Sequence, residues 1–375
     1  MEWLRPREAA IVRLLGKFVR AESPSFDKAA VDRFARIVAA EWRRRGTRVT
    51  VVRQRERGDH VRAEWNPPGK RAKGQILVLG HLDTVYGLGT LAGMPFRASR
   101  GRAYGPGAFD MKGGLVIALF AFDALAAAGR LPKKRIVFLW TSDEEIGSGT
   151  SRAMIEREAR RSDAVLVLEP AAGLDGRVKT GRKGVGEIEI VATGRAAHAG
   201  LNPEDGINAI EEIALQIALV SRWNQPSRGI TVNAGLVEGG TRTNVIPEKA
   251  RVLVDVRAVR AVDMRALERK FRALRPILRG SKLQIRGGFN RPPMERKNSA
   301  ALYAKARGLA KEMGVTLGEA YVGGGSDGNF TAALGVPTLD GLGAVGEGAH
   351  SPEENIVLRA LPERAALLAS LLATI

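Results

Sequence analysis

The chain of 375 residues carries 59 lysines and arginines against 40 acids, a net charge of +19, yet only four histidines and no cysteine. It exceeds the roughly 250–300 residues at which single cores stop growing, so two domains are expected, and the missing cysteine excludes disulfides and thiolate metal ligands. The basic residues are dispersed, 5% of residues are aromatic and no helix-turn-helix or zinc-finger pattern occurs, so the charge reads as a cationic surface that draws in anionic substrates, not as a specific nucleic-acid site.

In chain order, the first part reads helix, three strands, helix, strand, helix, strand, up to Glu169. The apolar runs 76–80 (I-L-V-L-G), 135–140 (R-I-V-F-L-W) and 164–168 (A-V-L-V-L) have the pattern of parallel strands buried on both faces, with a helix over 111–129 after the first. A different rhythm follows: strand 184–193, helix 206–223, strands 230–237 and 250–259, helix 263–274 and strand 283–287. That is the β-α-β-β-α-β order of the ferredoxin-like split motif. Helices over 299–313 and 361–372 then rejoin the first sheet, which makes the middle part an insertion. The expected division is a catalytic domain from 1–180 and 290–375 with an inserted domain at 181–289, crossed at glycine-rich hinges, 181–186 and Gly287-Gly288. No run reaches 18 apolar residues, so no membrane span is expected, and the first residues lack the charged start, apolar core and cleavage site of a signal peptide.

Three of the four histidines sit in short motifs: His81 in H-L-D-T-V, His198 in A-A-H-A-G and His350 in H-S-P-E-E. Beside them stand Asp110 in G-P-G-A-F-D-M-K-G-G, the doublet Glu144-Glu145 in T-S-D-E-E-I-G-S, and Glu169 in V-L-V-L-E-P. Hydrolytic two-metal sites hold their ions about 3.5–4 Å apart on hard oxygen and imidazole donors presented from rigid elements, with one group that bridges. The three apolar runs lead into His81, Glu144-Glu145 and Glu169, and in open α/β sheets sites form outside the carboxyl ends of the strands. Taken singly, each residue has a plain structural alternative. A lone histidine after a strand, as His81 is, is more often a satisfied structural residue; Asp110 and the Glu doublet read as helix caps, Glu169 as a turn before Pro170 and His198 as a turn residue. Together, at successive strand and helix ends of one sheet, they supply ligands for two metal ions.

The ordered set H-L-D-T-V, G-x-x-D-M-K-G-G, S-D-E-E-x-G-S, L-E-P, A-H-A-G and a late H-S resembles the co-catalytic zinc hydrolases that include carboxypeptidase G, aminoacylase, acetylornithine deacetylase and succinyl-diaminopimelate desuccinylase. V-L-E-P, the 323–327 run G-G-G-S-D and Arg291-Pro292 look like features of the carboxypeptidase G branch. The resemblance implies an α/β catalytic domain, a mostly parallel sheet flanked by helices as in zinc peptidases, and an inserted ferredoxin-like domain that serves as lid and dimerises. It implies two zinc ions per subunit, with cobalt or manganese as substitutes: His81 and Glu169 on one, Glu145 and His350 on the other, Asp110 bridging both. It further implies a cis peptide at Asp110-Met111 and Asp83 as hydrogen-bond acceptor for the second ring nitrogen of His81. Glu144 would take a proton from a metal-bridging water and deliver it to the leaving amine, and His198, from the second subunit of a homodimer, would donate to the oxyanion.

A carboxypeptidase of this type has to bind a terminal carboxylate, which the planar fork of arginine does bidentately. Arg257 in V-D-V-R-A-V and Arg291 in N-R-P-P resemble the substrate-binding arginines of that branch, with Asn244 in T-N-V-I-P nearby in the lid. Gly324 and Ser326, in the run G-G-G-S, offer backbone N–H groups as an anion nest. Arg257 as a solvent-facing strand residue and the glycines as a loose connection are the plain alternatives. The expected activity is a zinc-dependent amide hydrolase that releases a C-terminal amino acid, glutamate first, from peptidyl or N-acyl substrates. An N-acyl-amino-acid deacylase of the acetylornithine or desuccinylase kind is the alternative. The expected partners are that small substrate and a second copy of the chain, with no nucleic acid and no membrane, in the cytoplasm or, after removal of a signal, the periplasm.

Overall fold

Neighbouring residues of the first apolar run face opposite ways. Ile76 and Val78 join one buried cluster with Trp42, Phe138 and Leu166, while Leu77 and Leu79 join another with Leu139, Ile155 and Phe330. A strand buried on both faces needs helices on both. In this computed structural model, which describes residues 1–69 and 72–375, six strands form a sheet in the order Arg48–Val52, His60–Trp65, Arg135–Thr141, Gln75–His81, Ala164–Val167 and Thr338–Leu339. The last four run parallel and the first two extend them antiparallel, so the class is the mostly parallel α/β sheet that the apolar runs predict. Helices Glu8–Val19, Lys28–Arg44, Gly113–Ala127 and Ala360–Thr374 supply one buried cluster, in which the Trp42 and Phe138 rings stack with centroids 3.9 Å apart. Helices Arg152–Ala159 and Gly328–Ala333 supply the other. A second, antiparallel sheet orders Gly346–Glu347, Asn355–Val357, Arg102–Tyr104 and Arg97–Ser99. Strands of two or three residues are too short for periodicity to reveal, and the sequence reading missed them.

The chain separates into two compact units: Met1–Gly181 with Glu295–Val322 and Ser326–Ile375, and Arg182–Met294 with Gly323–Gly325. In the second unit an antiparallel sheet orders Thr231–Gly239, Lys249–Ala258, Gly184–Thr193 and Lys282–Arg291. Helices Ala209–Ser221 and Ala261–Arg272 bury Ile213, Val220, Leu267 and Phe271 against Ile188, Ile190, Val252 and Val254. The chain order is β-α-β-β-α-β, with the first and third strands at the centre. Asn208 caps the first of these helices, its side chain accepting from the N–H groups of Ile210 and Glu211.

Both glycine stretches expected at the crossing points are largely strand; the first contains the division between Gly181 and Arg182, while the second division falls between Met294 and Glu295, beyond Gly288. Residues 181–186 belong to Val178–Arg182 and Gly184–Thr193 apart from Lys183, and Gly287 and Gly288 pair with Ile188 and Glu187 inside Lys282–Arg291. Gly287 has φ +77, and a Cβ there would strike the carbonyl oxygen of Glu187. Glycine at 287 is therefore required by the close approach of a paired strand.

Candidate metal centre

The parallel strands deliver polar groups at their carboxyl ends. Gln75–His81 ends on His81, whose register partner Thr141 ends the adjacent strand and leads through Ser142 and Asp143 to Glu144 and Glu145. Ala164–Val167 leads to Glu169. Asp110 lies in the turn Ala108–Lys112, where Asp110 and Met111 have non-helical dihedral angles and are joined by a cis peptide. The following helix accordingly begins at Gly113, later than the sequence predicts. His350, at φ +62, lies in the loop between Gly346–Glu347 and Asn355–Val357.

These elements bring five side chains into two groups that share Asp110. His81 Nε2 is 3.2 Å from Asp110 Oδ1 and 3.5 Å from Glu169 Oε1. His350 Nε2 is 3.5 Å from Asp110 Oδ2 and 3.3 Å from Glu145 Oε2. Within each group the nearest donor atoms all lie within 4.8 Å of one another. Glu144, partly exposed, belongs to neither.

The charges explain one another. Burial works to lower the pKa of His81, but hydrogen bonds to Asp110, Asp83 and Glu169 outweigh it and hold the ring well above its ordinary value. His350 is pushed up to about 10 by Asp110 and Glu145. Burial works to raise Asp110, yet His350 and His81 hold it below the usual carboxylate range. Glu145 is raised, by burial first and against the pull of His350. Three carboxylates thus gather positive charge, here as protons on two imidazoles. A divalent cation meets the same demand with the imidazoles neutral.

Asp83, wholly buried, holds two parts of this arrangement. The nearer acceptor for His81 Nδ1 is the main-chain oxygen of Asp83, at 2.9 Å, whereas its carboxylate, the acceptor expected from sequence, is 3.5 Å away. That carboxylate accepts instead from the N–H groups of Glu144 and Glu145, both at 3.2 Å, and from the Ser25 hydroxyl at 2.7 Å. His60, the histidine outside any motif, is buried, with Nδ1 2.9 Å from Ser142 Oγ and Nε2 3.3 Å from Thr150 Oγ1. It therefore touches both ends of the turn that carries the Glu doublet. Burial lowers its pKa in spite of Asp143. Sequence reading missed this role because a lone histidine at a strand start carries no spacing signal.

The remaining predicted site residues are distributed unevenly. In the second unit, the segments of His198 and Asn244 adjoin: His198 bridges to Val245, and the Ala199 N–H donates to the Asn244 carbonyl at 3.0 Å. The exposed His198 ring accepts at Nδ1 from the N–H groups of Gly200 and Leu201, both at 3.1 Å, which places its proton on Nε2. Arg257 pairs with Asp255 at 3.0 Å and donates to the Gly323 carbonyl at 2.9 Å, and Arg291 is buried at the end of its strand. Gly324 accepts at its carbonyl from Arg182 at 3.1 Å. Ser326, in the first unit, is fully buried. Its hydroxyl donates to Asp340 at 2.6 Å and its N–H to Asn329 at 2.9 Å, so it anchors a loop and is no exposed donor for a substrate.

Comparison with known proteins fixes the family. Residues 77–374 match the model of peptidase family M20/M25/M40. The chain belongs to that family. Carboxypeptidase G2 of Pseudomonas sp. (strain RS-16) is 32% identical, over 97% of this chain and 89% of its own. A succinyl-diaminopimelate desuccinylase of Dechloromonas aromatica (strain RCB) is 28% identical, over 71% and 73% respectively. Among solved structures, the YXEP protein of Bacillus subtilis, a dinuclear metal-binding peptidase of the M20 family, superposes with a TM-score of 0.72 at 16% identity, covering 98% of each chain, which is a likeness of fold.

In this M20-family hydrolase the donor set suits metal. It consists of imidazole nitrogens and carboxylate oxygens, and Glu145 Oε1 is buried with no hydrogen-bond partner among the described residues. A buried carboxylate oxygen without a partner is costly, and a cation removes that cost.

Proposed function

We propose that the protein is a dinuclear metal-dependent amide hydrolase that releases a C-terminal amino acid, glutamate first, from peptidyl or N-acyl substrates. The observation that carries this reading is Asp110, with one oxygen toward each of two histidine–carboxylate groups. His81, Asp110 and Glu169 would hold one ion and Asp110, Glu145 and His350 the other, zinc being the first candidate on a nitrogen and oxygen donor set. Two such ions, when bound, polarise a scissile carbonyl and bring the pKa of a water toward neutrality.

The chain's own residues do the rest. Water adds to the amide carbon as Glu144 accepts its proton, and the C–N bond breaks as Glu144 returns that proton to the leaving nitrogen. Asp83 holds the N–H groups of Glu144 and Glu145 and so supports different tasks for adjacent carboxylates. The Nε2–H of His198 is an available donor for the developing oxyanion, supplied in a homodimer by the partner chain, with the second unit as lid. Arg257 and Arg291, with Asn244, are the proposed receptors for the substrate carboxylate, a reading supported by the likeness to carboxypeptidase G2. No helix among the described residues is long and apolar enough to cross a membrane, and the proposed compartment is the cytoplasm.

The similarity to desuccinylases supports the second reading, an N-acyl-amino-acid deacylase. Rates on N-acyl-glutamate against N-acetyl-ornithine and succinyl-diaminopimelate separate the two. The mechanism is tested by Glu144→Gln, which should lower kcat by about 10²–10⁴ with two metals retained, and by Glu145→Gln, which should lower metal content. Equal behaviour of the two variants, or full activity after chelation, would defeat it.

A further inference from the structure

Glu354 is a fully buried carboxylate that belongs to neither metal group. Its Oε1 accepts from the main-chain N–H groups of Phe109 at 2.7 Å and of Asp110 itself at 2.9 Å. Its Oε2 accepts from the Tyr86 hydroxyl at 2.5 Å and from the Gly107 N–H at 3.3 Å. The Glu354 main chain joins the same body, its N–H donating to the Ser351 carbonyl at 3.1 Å and its carbonyl accepting from Gly105 at 3.3 Å.

Four donors converge on one side chain, and an ionised carboxylate is the side chain that offers acceptor sites to all of them with no donor of its own. Burying such a charge is costly; burial raises the pKa of Glu354, and the bonds from Tyr86, Asp110 and Phe109 work against that rise. The bonds reach the turn that bears Asp110, while Glu354 itself sits four residues beyond His350. Tyr86, its remaining partner, follows Asp83 by three residues. One carboxylate therefore connects the segments behind both metal groups.

We propose that Glu354 is a positioning residue that sets Asp110 between the two groups and fixes the His350 loop against it, an inference that rests on the metal-site reading above. A ligand's supporting partners fix its orientation, and removing one typically weakens metal binding about 10–100-fold. The consequence is specific. Asp110 serves both groups, so loosening its turn weakens both binding steps, whereas loss of His350 weakens one.

The test is titration of the full-length, ion-free protein with cobalt(II), followed by the visible absorption of bound cobalt and by calorimetry, with circular dichroism to verify the fold. Glu354→Asp keeps the charge but withdraws it by one methylene from the Phe109 and Asp110 amides. It should weaken both steps about 10–100-fold. Glu354→Gln keeps an oxygen facing those amides but turns an NH₂ toward the Gly107 N–H and the Tyr86 hydroxyl, so it should weaken both steps, though less than Glu354→Asp does. His350→Ala should weaken one step. A folded Glu354→Asp protein that binds both ions as the wild type does, or that loses only one step, overturns the proposal. Should that variant not fold, Tyr86→Phe removes one of the four donors, and with it the 3.0 Å contact to the Ser351 carbonyl in the His350 loop; a several-fold loss in both steps supports the proposal, and unchanged binding, or a loss confined to one step, overturns it. A wild-type protein that binds no second ion would defeat the metal reading instead, which keeps the two failures apart.

Discussion

Asparagine at position 83 would preserve volume and remove one acceptor. The Asp83 carboxylate receives the Glu144 N–H on Oδ1 and both the Glu145 N–H and the Ser25 hydroxyl on Oδ2. An amide offers one oxygen. If that oxygen faces Glu144, the NH₂ faces Glu145; Ser25 can turn its hydroxyl to the Thr84 carbonyl 3.4 Å away, but the Glu145 N–H meets another donor. In the flipped rotamer the Glu144 N–H suffers instead. One buried amide left without its acceptor costs about 1–3 kcal/mol, and exchanging a charged for a neutral acceptor in the surviving bonds costs about 1 more. The expected loss is about 2–4 kcal/mol, concentrated on the turn that carries the Glu doublet. Guanidinium unfolding of ion-free Asp83→Asn against wild type reads the stability, and cobalt titration should show affinity lowered about 10–100-fold. A native unfolding curve together with native affinity would refute the reasoning and leave the main-chain contact of Asp83 to His81 as its whole contribution.

In ion-free protein the pKa of His350, about 10, lies above its ordinary 6.5. The stability from its pairing is thus fully present below about pH 6.5 and lost as pH rises through 10, while metal, which must displace that proton, binds more tightly over the same window. Calorimetry in buffers of different ionisation heat should register the released protons, and pH-independent affinity would count against the assignment. Gly287→Ala should destabilise the second unit by about 1–3 kcal/mol or more, since its φ of +77 suits glycine and a methyl meets the Glu187 carbonyl; unchanged unfolding would contradict this. Mixing a His198→Ala chain with a Glu144→Ala chain should regenerate one intact site per heterodimer, and verified heterodimers as inactive as their parents would place His198 outside the partner's site.

The apolar runs at 76–80, 135–140 and 164–168 determined the parallel sheet, because a strand buried on both faces has to be apolar at every position and that requirement is local. The same locality made the strand ends at His81, Glu144-Glu145 and Glu169 legible as places for chemistry. Asp110 and His350 were legible only through their motifs, since a cis turn and a loop between strands of two and three residues leave no periodic trace. Tertiary structure decided the rest. Glycines at 287 and 288 look alike to a hinge and to a kinked strand until the partner Glu187 is in place. Ser326 looks like a free backbone donor until the Asn329 side chain takes its N–H. The grip of Glu354 on Asp110 spans 244 residues of chain, and such a bond depends on two segments that share no local pattern being brought to one buried place by the packing of everything between them.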